Sequence, residues 1–217
     1  MSRTNNERPL RYLITAGPTR EYFDAVRFLS NASSGKMGYA LAEAAAERGG
    51  SVDLVSGPVC LSAPDGVTLH GVVSCEEMHQ ACLRIFPDCD LLIMCAAVSD
   101  YRPATRLQGK MKKDENFSTL ELTPTVDILR DLAGKKGNRM CVGFAAETEN
   151  LENYARDKLN RKNLDWIVAN DISRPGLGMD SDKNEVVMFS TAGSVRAFGP
   201  ALKKEVAAFI LDQLALP

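Results

Sequence analysis

The side chains best equipped for chemistry in this chain are amides and cations set among small residues. Thr15-Ala-Gly-Pro-Thr-Arg-Glu21 is followed by Asn31-Ala-Ser-Ser-Gly-Lys-Met-Gly38. Ser33, Ser34 and Gly35 stand just before an alanine-rich helical run. Free backbone N–H groups and the positive end of the helix dipole favour an anion there, and a phosphate is the first candidate. Lys110-Met-Lys-Lys113 places three ammonium groups in a second polar stretch. Lys158 and Lys162, four apart, share one face of a predicted helix. Taken singly, these clusters read as solvated charge or as an ordinary serine cap. Brought to one cleft, they would neutralise a polyphosphate and stabilise charge developing on it.

Several other chemistries lack their residues. Gly35-Lys36 is followed by Met37, where a P-loop needs a Ser or Thr to hold magnesium. A dinucleotide fingerprint requires its glycines directly after the first strand. Gly35 and Gly38 come late, and the second strand ends Val55-Ser56-Gly57 without an acid for a ribose. No Ser-His-acid or metalloprotease motif occurs. His70 and His79 read as surface or satisfied polar residues. The six cysteines form no Cys-x-x-Cys pair, so neither zinc nor a redox couple is indicated. Cys75 and Cys82 join Met78 and Ile85 in one buried helical stripe, and Cys95 and Cys141 lie in or beside apolar strands. The inventory favours a nucleotide-using transferase or ligase over an oxidoreductase.

These groups need elements to position them. The alternation of periods predicts strands at Tyr12–Ala16, Val52–Ser56, Val67–Val73, Asp90–Cys95, Met140–Phe144 and Trp166–Ala169. It predicts helices at Met37–Arg48, Cys75–Phe86, Pro124–Leu132, Leu151–Lys162 and Pro200–Leu214. Ser74 and Glu77 form a capping box, and Leu202, Val206, Phe209, Ile210 and Leu214 an apolar face. Glu185–Ser190 and Ser194–Phe198 flank a turn as a C-terminal β-hairpin. The fold class is α/β: a doubly wound, mostly parallel Rossmann-like sheet with helices on both faces. Residues 1–217 read as a single domain carrying a flap insert over about residues 102–117. Polar inserts follow the first, fourth and sixth strands, at the carboxyl edge where such sheets bind ligands.

The 217 residues are 45% hydrophobic and 25% charged, ordinary for a globular protein, and the formal net charge of −2 gives no field for nucleic acid. No apolar run reaches the roughly 18 residues of a membrane span. Met1 to Pro9 is polar and lacks the apolar core of a signal peptide. A cytoplasmic location is expected.

Six motifs in order then carry a resemblance: Ile14-Thr-Ala-Gly-Pro-Thr-Arg-Glu21, Asn31-x-Ser-Ser-Gly-Lys-Met-Gly38, Ala96-Ala-Val-x-Asp-Tyr-Arg102, Lys110-x-Lys-Lys113, Gly143-Phe-Ala-Ala-Glu-Thr148 and Ala169-Asn-Asp171. Over about residues 11–190 the chain resembles bacterial phosphopantothenate–cysteine ligase, the synthetase half of the bifunctional coenzyme A biosynthesis flavoprotein. The resemblance implies ligation of 4′-phosphopantothenate to L-cysteine at the expense of CTP, through an acyl-cytidylate. It implies magnesium on the nucleotide phosphates, no flavin, no side-chain metal site and a homodimer. Eukaryotic relatives favour ATP, so an ATP-dependent ligase is the nearest alternative. An NAD(P)-dependent reductase and a non-catalytic nucleotide-binding module are the others.

By the same resemblance Asn31 holds the acyl-cytidylate, Arg27 supports its loop, and Lys110 reaches the phosphates from the closing flap. Nucleotide contacts fall to Gly17, Ser33, Ser34, Gly35, Ala96, Asp100, Lys110, Asp127, Ile128, Phe144, Lys158 and Lys162. The family's Asn-Pro-Asp-Ile segment is Thr125-Val-Asp-Ile128 here, and Ala32 stands where a histidine is common.

Overall fold

The computed structural model describes residues 8–112, 119–173, 176–177 and 180–214. In chain order the elements are β1 (Arg11–Ala16), β2 (Arg20–Tyr22), β3 (Phe28–Ser30), α1 (Lys36–Glu47), β4 (Ser51–Ser56), β5 (Val67–Gly71), α2 (Cys75–Ile85), β6 (Leu91–Met94), β7 (Tyr101–Pro103) and β8 (Leu122–Pro124). They continue with α3 (Ile128–Ala133), β9 (Met140–Glu147), α4 (Leu151–Arg161), β10 (Trp166–Asp171), β11 (Lys183–Ser190), β12 (Val195–Leu202) and α5 (Lys203–Gln213).

Eight strands form one sheet in the order β12-β11-β10-β9-β6-β1-β4-β5. Strands β5, β4, β1, β6, β9 and β10 are parallel, and β11 and β12 continue the sheet antiparallel. β1 shows why helices must cover both faces. Tyr12, Ile14 and Ala16 enter one core with α1 and α5, while Leu13 enters the other with α2, α3 and α4. All four residues of β6 are buried, as a central parallel strand requires.

The doubly wound reading holds, and so does the terminal hairpin. Three local readings change. Pro124 does not open a helix; it ends β8, and α3 begins only at Ile128, where the Asp127 carboxylate accepts from the Arg130 N–H at 3.1 Å. Pro200 likewise stays in a strand. β12 is an edge strand, where a missing donor is tolerated, and its pairing runs on through Ala201 with Asn184 and Leu202 with Lys183. α5 therefore starts at Lys203 and Leu202 is exposed. Its buried side comprises Lys203, Val206, Ala207, Ile210 and Leu211, and Leu214 just beyond it is buried as well. At α2 the Ser74 side chain caps Glu77 N, but the Glu77 carboxylate accepts from Val73 N rather than from Ser74 N.

The two long inserts hold structure of their own. β2 and β3 form a hairpin between β1 and α1, and β7 and β8 a second one after β6. Of the flap expected over 102–117, Arg102 and Pro103 belong to β7, and residues 113–117 lie outside the described residues. Among the described residues no helix is long and apolar enough to cross a membrane.

Candidate functional site

Strand order reverses between β1 and β6. From β1 the chain passes to α1 on one face, and from β6 it passes to α3 on the other, so a crevice opens beyond their carboxyl ends. The crevice walls are knitted together by backbone. Ala97 N donates to the Gly17 carbonyl at 2.9 Å, and Thr19 N to the Ala97 carbonyl at 3.3 Å. Two buried threonines add side-chain bonds: Ala96 N donates to Thr15 Oγ1 at 3.1 Å, and Ser99 N to Thr19 Oγ1 at 3.0 Å. Burial without these partners would be costly, so the threonines fix the two loops relative to each other.

One wall is the amino end of α1. Gly35 is its N-cap, in the left-handed region at φ 78°, and as a glycine it supplies no capping side chain. A side chain at Gly38 would place its Cβ 2.6 Å from Ala16 Cβ, so glycine is what lets α1 lie this close to β1. A cavity of about 280 Å³ opens in front of this end. Asn31, Ser33, Ser34, Gly35, Ala96, Asp100, Phe144 and Lys158 all line it. Asn31 Nδ2 donates to the Ala97 carbonyl at 3.0 Å, so the amide bridges the two switch-point loops.

A second cavity of about 170 Å³ adjoins the first across Phe144 and Lys158, and Asp127, Ile128 and Lys162 line it. Lys162 Nζ lies 2.9 Å from Asp127 Oδ1, and Lys158 Nζ donates to the Phe144 carbonyl at 2.7 Å. Burial, then the neighbouring Lys162, hold the Lys158 ammonium below its usual range, against a pull from Glu147, Asp127 and Asp100. Burial raises Asp127, but the Lys162 ammonium and the Arg130 N–H outweigh it and leave the carboxyl below the ordinary range. The predicted helix-face pair of lysines is thus turned into the cleft.

Three expected residues stand elsewhere. Gly17 is not a wall of the cavity. It packs beneath Gly35, whose Cβ, if present, would meet Gly17 Cα at 3.4 Å. Arg27 is turned away because a buried carboxylate claims it: Asp24 Oδ2 lies 2.6 Å from Arg27 Nη2 and 2.8 Å from Nε. Arg27 Nη2 also donates to the Met111 carbonyl at 2.7 Å. Lys110, next to Met111, is exposed and lines neither cavity, because its segment is held to the β2–β3 turn by these contacts. Lys113 lies outside the described residues.

Other lining residues had no sequence signal of this kind. Asn170, Asn184, Lys36, Cys95 and Lys203 also face the main cavity. Lys36 and Asn170 did stand inside two of the six motifs, without an assigned contact. Cys95 read as a strand residue, and Lys203 lies within what looked like the apolar start of a helix. His70 and His79 are satisfied by Asp53 and Asp131, each at 2.8 Å, away from the cleft.

Residues 8–216 match the DNA/pantothenate metabolism flavoprotein C-terminal domain. The chain belongs to this family. The Bacillus subtilis coenzyme A biosynthesis bifunctional protein CoaBC is 48% identical over 204 residues, covering 94% of this chain and 50% of that protein. The Escherichia coli K12 protein of the same name is 47% identical over 192 residues, covering 87% and 47%. The chain therefore spans about half the length of the curated relatives it matches. Among solved structures, the C-terminal domain of a coenzyme A biosynthesis bifunctional protein CoaBC superposes with a TM-score of 0.82 at 44% identity, covering 94% of this chain and 93% of that one. A Streptococcus pneumoniae DNA/pantothenate metabolism flavoprotein shares the fold, with a TM-score of 0.81 at 19% identity and coverage of 94% and 98%.

Proposed function

We propose that this family member is a phosphopantothenate–cysteine ligase of coenzyme A biosynthesis that uses CTP. The carrying observation is the convergence, on one switch-point cleft, of Asn31 and the amino end of α1 with the Lys158–Lys162–Asp127 group across Phe144. In this reading Phe144 offers its ring to the base, and the lysines and α1 take the phosphates. The carboxylate oxygen of 4′-phosphopantothenate attacks the α-phosphorus, the bond to the β-phosphate breaks, and pyrophosphate leaves with the electron pair. The nitrogen of L-cysteine then attacks the acyl carbonyl, losing a proton, and CMP departs. Fixed cations and helix N–H groups stabilise the charge of the first step.

Magnesium fits as a passenger on the phosphates. Among the described residues no group of three potential side-chain ligands occurs, while Asp100 offers one carboxylate at the cleft. Magnesium commonly binds through one or two carboxylates, substrate phosphates and water, and would supply further charge neutralisation here. Nucleoside triphosphates are cytoplasmic substrates, so the reading implies a cytoplasmic enzyme. A homodimer is supported by Val26, Phe28, Tyr101 and Leu122, large exposed apolar side chains on or beside two hairpins that pack together.

The test is pyrophosphate release with CTP or ATP, each with and without 4′-phosphopantothenate and L-cysteine. CTP should be used better at subsaturating concentration, and release should require 4′-phosphopantothenate. Better turnover with ATP would move the protein to the ATP-dependent version, and NAD(P)H binding without any response to CTP would favour a reductase. Lys110→Gln should lower pyrophosphate release by about two orders of magnitude if the flap brings this lysine to the phosphates. Unchanged release would leave Lys110 a surface charge.

A further inference from the structure

Two helices begin at the main cavity with a lysine in their first position. Lys36 opens α1 and Lys203 opens α5. The topology explains the meeting. β12 runs back parallel to β10 after the antiparallel β11, so the residue following β12 returns to the carboxyl edge of the sheet. Lys203 N donates to the Asp182 carbonyl at 2.9 Å, and Lys36 Nζ lies 2.6 Å from Asp182 Oδ1 and 3.0 Å from the Asp180 carbonyl. One short segment thus holds the starts of both helices.

Both lysines stand at the positive end of their own helix. A cation at the amino end of a helix opposes the macrodipole. Lys203 is also only 7% exposed. Burial, and then repulsion from Lys36, lower its ammonium below the usual range, with Cys95, Asp182 and Asp180 pulling the other way. A buried cation at a helix start that lines a cavity is placed to meet an anion there. A polyanion in the cavity would relieve the repulsion of both lysines and meet the amino end of α1 at once.

We propose that Lys203 is a catalytic residue of the first half-reaction: with Lys36, it holds the β- and γ-phosphates and stabilises the charge that collects on them as pyrophosphate leaves. This rests on the ligase reading above. The base lies against Phe144, so the triphosphate extends from there past the α4 lysines toward α1. The bond that breaks joins the α-phosphorus to the bridging oxygen, and its electron pair goes to pyrophosphate beside Lys203 and Lys36. A contact that strengthens as this charge grows favours the transition state over bound CTP.

The probes are inorganic pyrophosphate and CMP, titrated calorimetrically with magnesium into the wild type and Lys203→Met. The variant should bind pyrophosphate at least about tenfold more weakly and CMP within about twofold of the wild type. A lysine that only supports α5 would lower the melting temperature and weaken both ligands, which would overturn the proposal. So would unchanged pyrophosphate affinity. Should Lys203→Met fail to fold, the more exposed Lys36→Gln must show the same selective loss, and its absence is equally decisive. Wild-type protein that binds pyrophosphate through Lys203 but releases none from CTP or ATP would keep the anion contact and remove the ligase reading. Ligase turnover together with unaltered pyrophosphate binding by Lys203→Met would do the reverse.

Discussion

Asn31 and Asp24 show how differently two polar side chains of one insert can serve a site. Asn31 carries no charge, and its Nδ2 donates across the crevice to Ala97. An amide suits the orientation of an acyl carbonyl better than the neutralisation of a leaving pyrophosphate. Asn31→Asp replaces that donor with a carboxylate facing a carbonyl and, in the proposed reaction, a cytidylate phosphate. Acyl-cytidylate should then accumulate, seen by mass spectrometry, while amide formation falls. Loss of all pyrophosphate release would instead assign Asn31 to nucleotide binding. Asp24 is fully buried and accepts from Val26 N at 2.8 Å, Arg27 N at 2.6 Å, the Arg27 guanidinium and Met111 N at 3.1 Å. Burial alone would raise this carboxyl, but the converging donors outweigh it and hold it well below the usual range. The native state therefore binds fewer protons than the unfolded chain once the pH falls below the ordinary carboxyl value of about 4. Asp24→Asn should be less stable at neutral pH, and the gap should narrow as the pH falls below about 4. Parallel denaturation curves for the two proteins would contradict this. The sequence made Asn31 legible because it stands in a local run with serines and glycines. It hid Asp24, whose meaning depends on Met111, 87 residues away.

At the scale of elements, α1 is a wall of the site because it can approach β1 closely. Gly38→Ala would set a methyl 2.6 Å from Ala16 Cβ and 3.0 Å from the Thr15 carbonyl. Backbone and strand core cannot yield as a flexible side-chain tip would, so α1 must shift outward. A loss of about 1–3 kcal/mol is expected in urea denaturation, with a higher KM for the nucleotide. A stable variant with unchanged KM would mean the helix end is not held by this contact. The helices and central strands were legible because their apolar periods are long and regular. Their ends were less so where a cap or pairing competes with periodicity. Pro200 sits in an apolar run that continues at helical spacing, yet the partners Lys183 and Asn184 keep the chain extended through Leu202. That difference moves Lys203 to the first turn of α5 and so to the cleft.

For the whole molecule, the strand order β5-β4-β1-β6-β9-β10 places the site before any side chain is considered. Alternating strands and helices made a doubly wound, mostly parallel sheet an expectation but not its strand order, and the pairing of β2 with β3 and β7 with β8 had no periodic signal in three-residue strands. The apolar residues they expose bear on assembly. Val26→Asp with Leu122→Asp should shift sedimentation from dimer toward monomer without lowering secondary structure, since Val26 is 55% and Leu122 45% exposed. A wild type that sediments as a monomer at micromolar concentration would remove the dimer from the proposal. The cavity's lining also reaches from Asn31 to Lys203, with Asn184 contributed by the returning hairpin. A nascent chain leaving the ribosome carries the α1 and Phe144–Lys158 walls before Asn184 and Lys203 have been synthesised. Ligand-assisted protection of such a chain from proteolysis should therefore appear late, when α5 has emerged, and a truncation after Ser190 should forfeit it.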